Sequence, residues 1–171
     1  MGRSPARPRS NPLVTSDLSI RYRLIVIGKL RNGALKELQA LYAGRIVPGP
    51  AIIELEERRA LPAAILKARE AEMLLGALPA GTPLIALDEH GSEWSSRALA
   101  DRIAAWRDGG FPDLAFVIGG ADGLGPQVLD RAEAILSLGP MTWPHRLVRV
   151  MLLEQLYRAQ QILAGHPYHR D

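Results

Sequence analysis

Short apolar runs alternate with stretches of helical periodicity along most of the chain. The apolar runs predict five strands, at residues 22–27, 51–55, 83–87, 115–118 and 134–138. The stretches between and after them repeat apolar residues every three or four positions and predict five helices, near residues 33–43, 62–76, 95–109, 126–131 and 144–163. This alternation predicts an α/β fold with one parallel sheet and helices on both of its faces.

The last predicted helix is apolar on more than one side. Residues at helical spacing account for one stripe, and Leu147, Val150, Leu153 and Leu156 widen it. Two arrangements explain such a helix: it packs on its own sheet and on another subunit, or it is internal to one chain. In the first helix Leu35, Leu38 and Leu41 or Tyr42 recur at helical spacing, and in the second the predicted buried side is formed by Ile65, Leu66, Met73 and Leu74.

The fourth apolar run ends abruptly in a cluster of glycines at residues 119, 120, 123 and 125. The cluster departs from the dinucleotide-binding fingerprint, and it departs from the phosphate-binding loop because Pro126 stands where a lysine is needed. An ordinary strand-to-helix turn and a ligand-binding loop both explain it. In a parallel sheet, this loop and those after residues 87 and 138 lie at one edge, which is therefore the predicted ligand pocket.

The composition is that of a globular chain, with 171 residues, 47% of them hydrophobic, and a formal net charge of +3. The absence of cysteine excludes disulfides and cysteine-ligated zinc and agrees with a reducing compartment. No apolar run approaches the roughly 18 residues that a membrane span needs. We predict one domain over residues 20–171, preceded at residues 1–19 by a disordered basic tail or, as the less favoured alternative, an arm that contacts RNA.

Three clusters of polar residues are candidates for chemistry. Residues 54–59 are mostly charged, which is typical of solvated surface. Residues 88–90 (Asp-Glu-His) follow the third run, where an exposed turn is favoured over a catalytic role. The chain ends in a set of imidazole, phenol and guanidinium groups that is unusual for a terminus, at residues 166–170. Its two histidines lack further metal ligands, so no metal site is predicted.

Four blocks of sequence, in order and at matching spacing, resemble one protein family. They are FVIGGADGL at residues 116–124, TWPHRLVR at 142–149, EQLYRA at 154–159 and HPYHR at 166–170. The family is that of the SPOUT-superfamily methyltransferases that modify a pseudouridine of large-subunit ribosomal RNA at N3. The resemblance covers residues 22–171 and is poorest over residues 46–59.

The resemblance implies a fold, a cofactor and partners that the spacing of residues does not show. The fold would be a parallel-sheet SPOUT methyltransferase fold with a C-terminal trefoil knot, an exception to the rule against threaded chains. The cofactor would be S-adenosylmethionine, and the protein would be a cytoplasmic homodimer with no membrane partner. The substrate would be a pseudouridine in helix 69 of 23S rRNA, reached on the assembled ribosome.

The resemblance also implies which residues form the site. The cofactor-binding residues would be Leu87, Gly119, Leu138, Gly139, Pro140, Met141, Thr142 and Trp143. The family usually has serine at position 139 and an aliphatic residue or phenylalanine at position 143, so those two side chains depart from its pattern. The candidates for proton transfer or for orienting the base are His145, Tyr168 and His169, and those for RNA contact are Arg149 and Arg170.

Other interpretations of the same residues stay open at this point. His145 and Arg149 lie where a helix begins, so a contact within the fold also explains them. A non-catalytic RNA-binding or ribosome-associated factor on the same scaffold would keep the basic character without binding the cofactor. A nucleotide-binding α/β domain with another ligand is the third interpretation. A ligand that binds only the native protein raises its melting temperature, so S-adenosylmethionine distinguishes the three.

Overall fold

The computed structural model describes residues 19–169, and within them a single sheet carries helices on both faces. The elements in chain order are β1 (Arg21–Ile27), α1 (Ala34–Arg45), β2 (Ala51–Leu55), α2 (Ala63–Gly76), β3 (Leu84–Glu93), α3 (Ser96–Asp108), β4 (Asp113–Ile118), α4 (Pro126–Arg131), β5 (Ala134–Ser137) and α5 (His145–Leu163). All ten elements that the sequence predicts are present, and the α/β prediction is confirmed.

The sheet has the strand order β2-β1-β4-β3-β5, and every neighbouring pair is parallel. The chain therefore places β4 between two strands that precede it. All five strands point the same way, so the loops that follow them emerge at one edge of the sheet. In open sheets of this kind, ligands bind beyond that carboxyl edge.

Alternate strand residues bury opposite faces of the sheet. On one face Leu24, Phe116 and their neighbours pack against α3 and α5, and α1 packs on α5. On the other face Ile25 and Val117 pack against α2 and α4. Burial on both sides explains why these strands are continuous apolar runs instead of alternating polar and apolar residues.

Helix α5 has neighbours on three sides, which accounts for its broad apolar surface. It covers the sheet and lies between α1 and α3, and Leu152, Leu153 and Leu156 are fully buried there. The structure thus agrees with the interpretation of α5 as an internal helix. The predicted buried side of α2 is wrong at Ile65, which is exposed because that helix buries a narrower face; Leu38 and Leu41 of α1 are exposed as well.

Strand β3 is longer than predicted because a glycine allows close packing beyond its apolar run. Pairing with β5 is irregular between Leu87 and Ser92, and it resumes with Ser92 opposite Leu136. A Cβ at Gly91 would lie 2.7 Å from the backbone carbonyl of Ile135, so only glycine admits β5 at this distance. The consequence is that residues 88–90 are held between two paired stretches of β3 beside the carboxyl edge.

The predictions of a basic tail and of a knot concern parts of the chain that the structure describes only in part. Residues 1–18, and with them nearly all of the predicted basic tail, lie outside those residues. The trefoil knot stays a prediction. In the part of the chain that the structure describes, no helix is long and apolar enough to cross a membrane.

Candidate active site

A cavity of about 890 Å³ opens at the carboxyl edge of β3, β4 and β5. The glycine loop after β4 (residues 119–125), the segment after β5 (residues 138–144) and residues 87–90 of β3 form its walls. The start of α5 closes it through His145 and Val148. Three loops meet here as the strand pattern predicts, and the volume falls within the usual range of about 300–1,000 Å³ for small-molecule sites.

Most of the residues predicted to hold a cofactor line this cavity. They are Leu87, Gly119, Leu138, Gly139, Met141, Thr142 and Trp143. Pro140 is exposed and is not part of the lining. Met141 is 66% exposed and Trp143 is 36% exposed, so two large apolar side chains of the lining remain partly open to solvent.

The glycine loop is packed too tightly for a side chain at its first position. A Cβ at Gly119 would lie 2.8 Å from both the carbonyl carbon and the carbonyl oxygen of Gly123. The loop closes on itself through a hydrogen bond that the Gly123 amide donates to the Gly120 carbonyl oxygen (3.2 Å). Gly123 itself has a φ of 75°, in the left-handed region that favours glycine. Gly119 is thus required by the loop's own backbone, whatever ligand the loop meets.

Two hydrogen-bonded groups fix the opposite wall. Ser137 is buried at the end of β5, where its Oγ donates to the Gly139 carbonyl oxygen (3.0 Å) and accepts from the Gly139 amide (3.2 Å). Farther along, the Thr142 hydroxyl donates to Glu89 across the cavity (2.9 Å). These contacts connect the segment after β5 to β3 and hold irregular backbone, with its amide and carbonyl groups, along the cavity.

Residues 88–90 belong to the cavity, although the sequence favoured an exposed turn. Asp88, Glu89 and His90 all line it. Asp88 accepts hydrogen bonds from the backbone amide of His90 (2.9 Å), and its carboxylate lies 3.0 Å from Nδ1 of that histidine. The side chains of Glu89 and His90 face solvent at the mouth. Their position at the carboxyl end of a parallel strand indicated a place in the cavity. The turn-like composition of these residues, however, favoured an exposed turn.

His145 is the only histidine of the described chain that both lines the cavity and is half-buried. It is the first residue of α5, and its Nε2 lies 3.4 Å from the point where a Cβ on Gly28 would stand. Burial lowers the pKa of His145 below its ordinary value of 6.5, and the charges of Arg146 and Arg149 lower it further. The surroundings of His145 thus favour the neutral imidazole, which can accept a proton.

Arg149 is enclosed by the protein one turn farther along α5. Its side chain is 1% exposed and forms an ion pair with Glu54. It also donates to the Gly28 carbonyl oxygen (2.8 Å) and to Gln39 (3.4 Å). These contacts join α5 to β2, to α1 and to the residue after β1, so the structure bonds the Arg149 side chain within the fold.

Glu54 shows that the charged cluster at residues 54–59 is not all solvated surface. It accepts a hydrogen bond from the Leu30 amide (3.0 Å) in addition to those from Arg149. Burial alone would raise the pKa of Glu54, but these hydrogen bonds outweigh it and hold the pKa below the usual value. The alternation of β2 was the available signal, because Ile52 and Glu54 lie on the same face of that strand.

The chain end folds back on the outer part of α5. The Tyr168 hydroxyl donates to Glu154 (3.1 Å), and the Tyr168 ring packs edge-on against Tyr157 with centroids 4.8 Å apart. Arg158 lies over the same ring at 4.9 Å from its centroid, and its guanidinium is 3.4 Å from Nδ1 of His169. Arg170 lies outside the described residues.

Tyr168 and His169 are therefore not part of the cavity of their own subunit. Glu154 is nine residues beyond His145 along α5, which is roughly 13 Å at the rise of a helix. Neither Tyr168 nor His169 lines the cavity. Of the predicted catalytic residues in the described chain, only His145 is brought to the predicted cofactor-binding residues.

Metal chemistry has no preformed site in the part of the chain that the structure describes. No group of three or more His, Asp or Glu side chains there is arranged to hold a metal ion. His166 and His169 are both within the described residues and are not part of such a group.

Comparison with known proteins agrees with this architecture. Residues 20–169 match the family described as "Predicted SPOUT methyltransferase". The chain is 50% identical over 151 residues to ribosomal RNA large subunit methyltransferase H of Paramagnetospirillum magneticum, covering 88% of this chain and 99% of that one. It is 54% identical over 145 residues to the protein of the same name from Rhodospirillum rubrum, covering 85% and 95%.

A solved structure shares the fold at low sequence identity. It is that of a probable methyltransferase from Bordetella pertussis Tohama I, which aligns with a TM-score of 0.53 and 17% identity over 84% of this chain and 98% of that one. The family match covers nearly all of the described chain, and relatives that are about 50% identical carry the same family's activity in their names. The observed fold agrees with both findings. The chain belongs to the SPOUT methyltransferase family.

Proposed function

We propose that this protein is an S-adenosylmethionine-dependent methyltransferase that acts on large-subunit ribosomal RNA. Two lines support the proposal: membership of the SPOUT methyltransferase family, and close similarity to proteins named ribosomal RNA large subunit methyltransferase H. The observation that carries it in the structure is the cavity at the carboxyl edge of the sheet, where the glycine loop, the segment after β5 and the start of α5 meet.

The residues of the cavity fit such a cofactor. Leu87, Leu138 and Ile118 offer an apolar surface for a flat base, and the irregular backbone around Gly119 and Gly139 offers amide and carbonyl groups for its edge. Gly139 has a φ of 107° and open space where a Cβ would stand, so the backbone there is accessible. When bound, S-adenosylmethionine supplies a methyl group on a positively charged sulfur. We propose that the residues predicted from the family resemblance, except Pro140, hold it.

His145 is positioned to serve the reaction in this cavity. Methylation of a ring nitrogen requires that the nitrogen approach in line and lose its proton. A neutral imidazole at the cavity wall can accept that proton or hydrogen-bond to the base and orient it, and its lowered pKa favours the neutral form. Arg149 acts indirectly: it holds the first turn of α5, and with it His145, against β1 and β2.

Lysine and arginine residues at the carboxyl edge of the sheet, most of them exposed, suit an RNA substrate. Lys29 and Arg31 follow β1, Arg146 lies on the first turn of α5, and Lys67 lines the cavity from α2. Lysine and arginine at such places contact phosphates, which position an RNA without reading its sequence. We propose a pseudouridine of helix 69 in 23S rRNA as the target, methylated at N3 on the assembled ribosome in the cytoplasm.

We further propose that the protein is a homodimer and that each active site is shared. The tail residues Tyr168 and His169 are held on the outer part of α5, away from the cavity of their own subunit. In the proposed dimer they face the cavity of the partner from this position on α5. Four exposed apolar side chains are candidates for the buried centre of the interface. They are Leu38 and Leu41 on α1, Val47 shortly after α1, and Leu163 at the end of α5.

Replacing Gly119 with alanine is expected to weaken S-adenosylmethionine binding at least about tenfold, because the new Cβ must displace the Gly123 carbonyl and shift the cavity wall. Isothermal titration calorimetry on the purified variant measures this. Gly44→Ala is a suitable control, since it adds a Cβ where no atom lies within 4 Å. Unchanged affinity in Gly119→Ala would remove the glycine loop from the proposed site, and absence of binding by the unaltered protein would contradict the cofactor assignment.

The environment of His145 predicts a pH dependence of stability. Its pKa in the folded protein lies below its ordinary value, so between those two values the unfolded chain binds more protons than the folded one. The free energy of unfolding therefore falls as the pH drops through about 6.5, and we expect His145→Asn to lose less stability than the unaltered protein over that range. Urea unfolding at pH 7.5 and at pH 5.5 measures the difference.

A second variant separates the two causes of that shift. Arg146→Gln removes a nearby charge but leaves the burial of His145 in place, so we expect an intermediate loss of stability at low pH. If His145→Asn follows the same pH profile as the unaltered protein, His145 is not held neutral by its surroundings.

A further inference from the structure

Glu70 is a buried carboxylate that the proposed mechanism does not use. It lies on α2, on the same buried face as Ala71 and Leu74, and is 9% exposed. Within residues 19–169 no hydrogen bond or ion pair reaches its side chain. The carboxylate oxygens are not fully enclosed, but a largely buried charge without a partner among the described residues is stabilised when a cation binds beside it.

The carboxylate of Glu70 lies directly against the glycine loop. A Cβ on Gly120 would stand 2.9 Å from one of its oxygens and 3.1 Å from the other. Gly120 lines the cavity and Glu70 does not, so the carboxylate lies behind Gly120 as seen from the ligand space. Farther along the loop, a Cβ on Gly125 would stand 3.0 Å from Cβ of Ala71. The glycines thus allow α2 to approach the back of the cavity wall and bring the charge of Glu70 with it.

A second carboxylate acts on the same wall. Asp122 is exposed on the glycine loop and lines the cavity. Burial raises the pKa of Glu70, and the negative charge of Asp122 raises it further. The nearest cation on the same helix is Lys67, which lines the cavity one turn before Glu70, and Arg69 is engaged by Glu57 and Glu72. Two acidic side chains therefore lie at one glycine loop, Asp122 on the loop itself and Glu70 against Gly120.

We infer that Glu70 and Asp122 form an anionic subsite that selects the cationic part of the cofactor. Asp122 acts from the cavity wall, and Glu70 acts through the thin backbone of the glycine loop, where low dielectric strengthens its field. The inference rests on the proposed function, since S-adenosylmethionine carries two cationic groups, a sulfonium and an ammonium. Loss of the methyl group neutralises the sulfur, so a subsite that acts on the sulfonium favours the methyl donor over the demethylated product, whereas one that acts on the ammonium alone holds both equally.

Three ligands tested on one set of variants examine the subsite by calorimetry. S-adenosylmethionine carries both cations, S-adenosylhomocysteine carries the ammonium alone, and methylthioadenosine shares the nucleoside and thioether but carries neither. We expect Glu70→Gln and Asp122→Asn each to weaken S-adenosylmethionine about fivefold, which corresponds to about 1 kcal/mol, and to leave methylthioadenosine unchanged. Glu70→Asp, which keeps the charge, is expected to retain most of the affinity.

S-adenosylhomocysteine then shows which cation is selected. If the variants lose as much affinity for S-adenosylhomocysteine as for S-adenosylmethionine, the subsite acts on the ammonium. If they lose less affinity for S-adenosylhomocysteine, the subsite acts on the sulfonium as well. Glu72→Gln is the matched control, because Glu72 is exposed on the same helix, and we expect no change with any of the three ligands.

The stability of the variants separates this role from a structural one. Since the folded-state pKa of Glu70 is raised, ionisation at pH 7 opposes folding, and Glu70→Gln is expected to be at least as stable as the unaltered protein. The inference is overturned if Glu70→Gln weakens all three ligands equally, weakens none, or lowers the free energy of unfolding. If the unaltered protein binds neither S-adenosylmethionine nor S-adenosylhomocysteine, the proposed function itself fails before the variants are compared.

Discussion

Replacing Arg149 with alanine is expected to lower the free energy of unfolding by about 3 kcal/mol, because breaking a buried ion pair leaves its partner uncompensated. The guanidinium bonds to Glu54, to the Gly28 carbonyl and to Gln39, and its loss would leave all three acceptors without that donor. Those acceptors lie on three different elements, so the first turn of α5 would lose its attachment. Equilibrium unfolding in urea, monitored by circular dichroism, measures the change.

Arg146 provides the matched control for that experiment. It lies three residues earlier on the same helix and is exposed, so Arg146→Ala is expected to change the free energy of unfolding by no more than about 0.5 kcal/mol. Arg149→Lys is expected to lose an amount of stability between those of Arg149→Ala and Arg146→Ala, since an ammonium cannot reproduce the forked contacts of a guanidinium. A loss below about 1 kcal/mol in Arg149→Ala would show that the buried pair does not anchor α5.

Mixing two inactive variants is expected to restore about a quarter of the active sites if the sites are shared between subunits. Gly119→Val damages the cavity wall, and Tyr168→Ala removes a tail side chain that the structure holds away from its own cavity. Each variant alone is expected to lose at least about 99% of its activity, a barrier increase of roughly 3 kcal/mol. In a mixed dimer one site collects both defects and the other collects none.

The arithmetic of mixing makes the result specific. Equal amounts of the two variants, exchanged to equilibrium, give about half mixed dimers, and one of the two sites in each is intact. Native mass spectrometry verifies that mixed dimers have formed. Activity that does not return although mixed dimers are present would show that each subunit completes its own site, and a protein that is monomeric throughout would contradict the proposed homodimer.

Much of the architecture was predictable because the strands are buried on both faces. A run such as residues 115–118 is apolar throughout, and such runs separated by helices leave few alternatives to a parallel sheet. The location of the cavity followed from that sheet, because parallel strands release their loops at one edge. The individual side chains at this edge, by contrast, needed the family resemblance, since Leu87, Thr142 or Trp143 carry no local pattern that indicates a ligand.

What the sequence did not predict are contacts between elements far apart in the chain. Glu54 appeared to belong to a solvated charged cluster because its partner, Arg149, is 95 residues away. Glu70 appeared to be one more charge on a helix, although it shares a face with Ala71 and Leu74 and meets Gly120 in space. The breadth of α5 could not distinguish a dimer interface from an internal helix, because packing on α1 and α3 produces the same pattern.

Methylation of ribosomes by the purified protein tests the central claim most directly. Ribosomes from a strain that lacks the corresponding methyltransferase are incubated with the protein and S-adenosylmethionine, with free 23S rRNA as a parallel substrate, and the rRNA is digested and examined by mass spectrometry. We expect one methyl group on a pseudouridine in helix 69, with the assembled ribosome as the better substrate. A protein that binds S-adenosylmethionine but adds no methyl group to either substrate would contradict the proposed function.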